Sequence, residues 1–369
     1  MARVVLTGGG TGGHLYPGLA ILEAMREIEP CEVLFIGTKH GIESRVVPEN
    51  GLPFQTVWIG GMHRGKIKRN FLFPLKMLVS FIQSIGMLHG FKPELVIGTG
   101  GYVSWPVLSA ASRLKIPYVI QEQNQAPGLV TRLMEKRAER IFLSFENSKR
   151  FYKNQNSLVT GNPTRAMFSE GNREEAYKLF GLDSKKKTLF VFGGSQGAYG
   201  LNQEMARIHP ELLRDNNLQI LWSTGPRWID EIQTACQPYS NRIKVVPFIT
   251  DMGAAYRITD LLVCRSGATT IAEVTRVGLP VIFVPFPAAA NNHQETNARA
   301  LVESNAAELV LESEFGEDKL IDTIKTLLAD DQKRKVLRAN CSQLGRPEAS
   351  QHIAREIIAL CHAEKRNHG

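Results

Sequence analysis

The sequence holds five cysteines, and no two of them form a CxxC pair. A disulfide framework or a zinc ribbon needs closer, paired spacing, so neither organises this chain, and a reducing compartment is expected. No DxD dyad and no His/Cys grouping at ligand spacing occurs, so no metal and no cofactor is expected. Long apolar runs are also missing. The longest candidate, Phe71 to Leu88, is interrupted by Pro74, Lys76 and Gln83, which is too broken for a membrane span of about 20 residues. The opening stretch MARVVLTGGGTGG lacks the apolar core of a secretory signal and reads as a strand entering a glycine loop. Acidic residues are the scarcer sign, 36 against 44 Lys plus Arg, a net +8. A mild basic excess fits an anionic partner, whether phosphate ligand, nucleic acid or acidic membrane, without choosing among them.

What the chain has instead is alternation. Its 369 residues correspond to about two domains at roughly 150 residues each. Apolar runs alternate with helical patterns. Strands are expected at Arg3–Thr7, Val33–Gly37, Leu95–Gly98, Tyr118–Gln121, Arg140–Ser144, Thr188–Phe192, Gln219–Ser223, Ile243–Pro247, Leu261–Arg265 and Val281–Val284. Most are apolar throughout, so both sheet faces should be covered by helices, as in parallel α/β layers. RVVLTGGGTGG at Arg3–Gly13 and TLFVFGGSQG at Thr188–Gly197 repeat one device, a strand running into a glycine turn, half the chain apart. Two Rossmann-like, doubly wound domains are expected, residues 1–163 and 164–345, joined near Gly161-Asn162-Pro163. A last helix within 346–369, with Ile353, Ile357 and Leu360 at helical spacing, is expected to return to the first domain.

The first glycine loop, Gly8 to Gly13, matches GxGxxG after a strand. Such a turn allows a tight bend and presents a helix N-terminus to a phosphate. Both familiar nucleotide readings nevertheless fail. The second strand ends Phe35-Ile36-Gly37-Thr38-Lys39, with no acid for a nicotinamide ribose, and His14-Leu15 stands where a Walker loop needs Lys then Ser/Thr. Three more turns follow strands: Gly98-Thr99-Gly100-Gly101-Tyr102, Gly193 to Ala198, and Arg265-Ser266-Gly267-Ala268-Thr269. Four such turns at strand C-termini predict a ligand site on each domain, the domains facing across a cleft.

His14 stands where a loop becomes a helix and can act as general base near neutral pH. The plainer alternative is a helix-start histidine bonded to backbone. Arg265 could neutralise a diphosphate or sit in a surface ion pair. Glu273 could accept ribose hydroxyls or merely favour a helix start. Gln121-Glu122-Gln123-Asn124 is a polar cluster beyond a buried strand, and Cys264 reads as an inert core thiol. The segment His63-Arg64-Gly65-Lys66-Ile67-Lys68-Arg69 precedes a helix in which Leu75, Leu78, Ile82 and Ile85 share a face. It suits an anionic bilayer surface, a core helix behind a solvated basic loop, or both together, with only the loop and a few apolar residues touching lipid.

Taken together these motifs resemble the MurG family of cell-wall N-acetylglucosaminyltransferases. GGGTGGHLYPGLA (Gly8–Ala20), GTGGYVSWP (Gly98–Pro106), QEQN (Gln121–Asn124), GNPTR (Gly161–Arg165), FGGSQGA (Phe192–Ala198), FITDM (Phe248–Met252), CRSGATTIAE (Cys264–Glu273) and GLPVIFVPFP (Gly278–Pro287) fall in the family's order. The resemblance implies the two-domain GT-B fold and an inverting transfer of GlcNAc from UDP-GlcNAc to the C4 hydroxyl of MurNAc in lipid I, forming lipid II for peptidoglycan. The C-terminal domain would hold the donor and the N-terminal domain the acceptor. Arg165 and Ser195 would contact the nucleotide and its phosphates, Ile249 the uracil through its backbone, and Glu273 the ribose. Ala268 and Gln294 would touch the sugar, as would Asn124, and Thr269 lies in the same donor turn. Thr11, Gly12 and Gly13 would line the donor–acceptor junction, with His14 the candidate base. The implied location is the cytoplasmic face of the bacterial membrane, peripherally bound, with other cell-wall synthesis proteins as further partners and no nucleic acid. Gln121 departs from the His of many members, Thr131 from a frequent Asn, and the run from Ala288 to His293 carries less charge than expected. A UDP-GlcNAc 2-epimerase, another lipid-directed transferase, a non-catalytic nucleotide-sugar subunit and a nicotinamide oxidoreductase are the competing functions.

Overall fold

The computed structural model describes residues 1–61, 71–152, 156–164, 171–289 and 292–368, with side chains through 363. The chain divides into two compact units, Met1–Arg165 with Arg346–Gly369, and Ala166–Gly345.

The first unit is built on a seven-stranded sheet: β1 (Ala2–Thr7), β2 (Cys31–Gly37), β3 (Phe54–Thr56), β4 (Leu95–Gly98), β5 (Tyr118–Glu122), β6 (Arg140–Leu143) and β7 (Ser157–Val159). The order is β3-β2-β1-β4-β5-β6-β7, and every pairing is parallel, with Val4 opposite both Val33 and Leu95. Helices α1 (Gly12–Ile28), α2 (Glu43–Glu49), α3 (Phe73–Phe91), α4 (Ser104–Leu114) and α5 (Leu129–Met134) form the connections. Val4, Val5 and Leu6 are all fully buried, because consecutive side chains of β1 enter cores on opposite faces of the sheet.

The second unit repeats the plan with six parallel strands: β8 (Lys187–Phe192), β9 (Leu218–Ser223), β10 (Ile243–Val246), β11 (Leu261–Cys264), β12 (Val281–Phe283) and β13 (Glu308–Leu309), ordered β10-β9-β8-β11-β12-β13. Its helices are α6 (Arg173–Phe180), α7 (Tyr199–Leu212), α8 (Ile229–Ala235), α9 (Met252–Arg257), α10 (Ala268–Val277), α11 (His293–Glu303), α12 (Lys319–Ala329) and α13 (Asp331–Leu344). The chain then returns. Helix α14 (Ala349–His368) packs Ile353, Ala354, Ile357, Ile358 and Cys361 into the first unit's core with Leu15, Leu19 and Leu22 of α1.

Strand order decides where a ligand can enter. Successive connections reverse direction between β1 and β4 in one sheet and between β8 and β11 in the other. At such a switch point the two following turns diverge and leave a crevice beyond the strand ends. All ten expected strands form. Three more, β3, β7 and β13, were not expected; each has only two or three residues at or beside a sheet edge. Elements that short carry no readable alternation.

Helix α3 combines features of both expectations: Leu88 lies in the core, with Phe81, Ile85, Met87 and Phe91 packed against it. Its fully buried residues are Ser80, Ser84 and Leu88. Leu75, Leu78 and Ile82 are 48%, 56% and 59% exposed, with Phe71 and Leu72 exposed just before them. The serines close their hydroxyls on the helix's own carbonyls, Met77 and Ser80, so small polar side chains fit the packed face. Leu75, Leu78 and Ile82 are left toward solvent, while Ile85, of the same expected face, packs against the core.

Candidate active site

In the first unit, β1 ends at Thr7, and Thr11, in extended conformation, precedes the first turn of α1 formed by Gly12, Gly13 and His14. The Thr11 carbonyl accepts from the amides of His14 and Leu15. The turn after β4 lies alongside. Gly101 has φ +81°, and a side chain there would strike the Gly9 carbonyl. Only glycine permits the two turns to approach this closely. His14 Nδ1 meets the Thr99 carbonyl at 3.2 Å and Gln123 Oε1 at 3.1 Å. The backbone contact of the plainer histidine reading is therefore present, joined by a side-chain contact from β5's end.

Two buried carboxylates shape these loops. Glu43 accepts from Gly10 N (2.9 Å), Thr38 N (3.0 Å) and Thr38 Oγ1 (2.6 Å). All three partners donate to the carboxylate oxygens. It ties the first glycine loop to the end of β2. Glu122 accepts from Asn124 N (3.1 Å), Gly128 N (2.9 Å) and Thr131 Oγ1 (2.6 Å), which orders the turn carrying Asn124.

In the second unit, the turn Gly193 to Ala198 leads into α7, with Ser195 exposed. Gly197 has φ +75° and lies against the Thr224 carbonyl, so only glycine fits there. Ala268 and Thr269 open α10, where first-turn amides have no partner within the helix. Glu273, one turn further, accepts from Tyr256 OH at 2.8 Å. Tyr256 is fully buried, and burial with the nearby Glu273 pushes its hydroxyl well above the ordinary range, so it stays a donor. Ile249 is buried in the turn after β10. Gln294 ties two turns together: its carbonyl accepts from Ser266 Oγ (2.8 Å) and its side chain from Phe286 N (2.9 Å).

Arg265 departs from the surface ion pair of its plainer reading. Its guanidinium is buried, donates to the Val284 carbonyl (3.0 Å) and the Pro285 carbonyl (2.9 Å), and pairs with Glu312. It is no surface ion pair, and Glu312 already balances its charge. Burial raises the Cys264 thiol well above its usual range, in keeping with an inert core residue.

Each unit therefore gathers its own set: Thr11, Gly12, Gly13, His14 and Asn124 at one switch point, and Ser195, Ile249, Arg265, Ala268, Thr269, Glu273 and Gln294 around the strand ends of the other. Arg165 and the basic residues His63 to Arg69 lie outside the described residues. Sequence reasoning missed Glu43, Tyr256 and Glu312, and gave Gln123 no role. Glu43 alone left a signal, an acid soon after the second strand of a glycine-loop unit; the others are brought in by tertiary packing.

The comparisons agree with this architecture. The models for the glycosyltransferase family 28 N-terminal domain and C-terminal domain match residues 4–143 and 188–353. A UDP-N-acetylglucosamine–N-acetylmuramyl-(pentapeptide) pyrophosphoryl-undecaprenol N-acetylglucosamine transferase from Desulforamulus reducens is 39% identical over 95% of this chain and 96% of its own length. One of the same name from Halothermothrix orenii is 40% identical over 94% and 96%. The crystal structure of Acinetobacter baumannii MurG superposes with TM-score 0.77 at 27% identity, covering 97% of this chain and all of that one. A structure described as a UDP-N-acetylglucosamine 2-epimerase from Listeria monocytogenes shares the fold, with TM-score 0.68 at 12% identity over 97% and 96%. With both family models matched, and with 39–40% identity to these transferases along nearly its whole length, this GT-B chain belongs to glycosyltransferase family 28 and, within it, to the MurG family of N-acetylglucosamine transferases.

Proposed function

We propose that the chain moves N-acetylglucosamine from UDP-N-acetylglucosamine to the C4 hydroxyl of the muramyl unit of lipid I, inverting the anomeric centre, releasing UDP and forming lipid II. The observation that carries this is the set of relatives, 37 to 40% identical along nearly their full length, that bear the name of this transferase. The first unit takes the acceptor and the second the donor. Inversion in one displacement needs a base on the attacking hydroxyl and stabilisation of the departing diphosphate. His14 takes the C4 proton, beside Thr11, Gly12, Gly13 and Asn124. Ser195, the amides of its turn and the first turn of α10 at Ala268 and Thr269 receive the diphosphate, with Arg165. Glu273 holds the ribose, the Ile249 backbone reads uracil, and Gln294 touches the sugar. Arg265, already balanced by Glu312, contributes chiefly by fixing the turn after β12.

The exposed apolar face of α3 and the basic segment before it rest on the anionic cytoplasmic leaflet of the bacterial membrane, and other cell-wall synthesis proteins are candidate partners there. Among the described residues no helix is long and apolar enough to cross a membrane, so attachment by this face would be peripheral. The test combines purified protein, UDP-N-acetylglucosamine and a lipid I analogue. UDP release that depends on the acceptor is expected. Conversion of the donor to its 2-epimer without acceptor would overturn the proposal in favour of the epimerase whose fold is shared.

A further inference from the structure

The geometry points to Gln123 as a positioning residue that holds His14 in the tautomer with its proton on Nδ1. The inference rests on the proposed role of His14 as base and concerns a residue to which that role gives no part.

The argument is one of donors and acceptors. The Thr99 carbonyl can only accept, and it lies 3.2 Å from His14 Nδ1 and is also bonded by Gln123 Nε2. The second neighbour of Nδ1 is Gln123 Oε1, at 3.1 Å. Which end of the Gln123 amide faces the ring is decided farther away. Ser144 Oγ donates to the Glu122 carbonyl (2.8 Å), so it must accept from Gln121 Nε2 (3.3 Å). Gln121 Nε2 also donates to Asn162 Oδ1 at 3.0 Å. That turns Gln121 Oε1 toward Gln123, where it accepts from Nε2. Gln123 Oε1 is left for the imidazole. Nδ1 is thus flanked by two acceptors and carries the proton, and the basic lone pair is on Nε2. Gln121 and Gln123 are almost fully buried and Asn162 nearly so, and none of the three titrates, so the relay keeps its polarity at every working pH. Among the described residues, the titratable side chains beside the glycine turns and the Gln123 turn include Glu43, Tyr16, Tyr102 and Glu122. Glu43 is held by Gly10 and Thr38, and Glu122 by Asn124, Gly128 and Thr131.

Two measurements test this. Long-range proton–nitrogen NMR on histidine-labelled, unliganded protein reads the tautomer of His14 directly, with His14→Ala to assign its signals. The Nδ1–H form is expected, and a predominant Nε2–H form would overturn the proposal. The second is the pH profile of kcat/KM for Gln123→Met. Loss of an acceptor that favours the imidazolium should move the acidic limb down by about half to one pH unit and lower kcat about ten-fold, with donor KM within about two-fold. A limb that stays in place counts against Gln123, because a merely structural defect would lower activity without moving it. Full activity in His14→Ala would instead remove the base, while the NMR result would still decide the tautomer. If Gln123→Met does not fold, the NMR result on the natural protein decides alone.

Discussion

At the scale of single residues, the two halves of the proposed chemistry separate by experiment. His14→Ala should lower turnover by about two to four orders of magnitude, the usual worth of a positioned base, while UDP affinity measured by calorimetry stays within about two-fold. Unchanged turnover would remove His14 as base. Glu273→Ala should do the reverse, weakening UDP binding about ten-fold or more, since a charged hydrogen-bond acceptor contributes about 1.5–3 kcal/mol. Calorimetry with UDP showing unaltered affinity would contradict the ribose assignment. A third residue-scale effect concerns stability. His209 is buried in α7, with Nδ1 3.3 Å from the Met205 carbonyl. Burial lowers its pKa from the usual 6.5, against the opposing pull of the Met205, Ala206 and Ala235 backbone. On acidification the unfolded chain therefore binds this proton first. The stability associated with neutral His209 is whole above about pH 6.5 and falls as the pH drops below it, by at most about 1.4 kcal/mol per unit. The melting temperature of the second unit should drop between pH 7 and 5.5, and His209→Leu should flatten that drop; equal slopes in both proteins would exclude the histidine as its cause.

At the scale of elements, α3 shows how one pattern serves two outcomes. Apolar residues at helical spacing normally predict the buried face, because burial of a leucine contributes about 1.5–3 kcal/mol. Here Ser80 and Ser84 face inward and Leu75, Leu78 and Ile82 outward. Periodicity reports that a face exists, not what covers it. Leu78→Glu should reduce sedimentation with anionic vesicles about ten-fold or more, while the urea midpoint moves by no more than about 0.5 kcal/mol of stability. Unaltered vesicle binding would remove this face as the membrane contact. The strand ends were legible for the opposite reason. The apolar centres of β1, β4, β8 and β11, each followed by a glycine-containing turn, pointed to buried parallel strands with ligand-facing loops.

At the scale of the whole molecule, the division into units follows the repeat in the sequence, yet the last helix crosses it. α14 is contiguous in sequence with the second unit and packs in the first, where Ile357 is completely buried against α1 and β1. Ile357→Ala should cost about 2–5 kcal/mol and lower one unfolding transition, that of the first unit, while the second unit's transition stays in place. Calorimetry showing both transitions shifted equally would contradict independent units. Local sequence determined the strands, the four glycine turns and the residue types at each switch point, because tight turns and doubly buried strands place demands that few side chains meet. Tertiary structure alone decided that Glu312 neutralises Arg265, that Tyr256 holds Glu273, and that Gln121, Gln123 and Asn162 form one polar relay under His14. Tyr256 and Glu273 stand 17 residues apart and His14 and Gln123 109, and a buried polar group takes whichever donor or acceptor the packed core brings within reach.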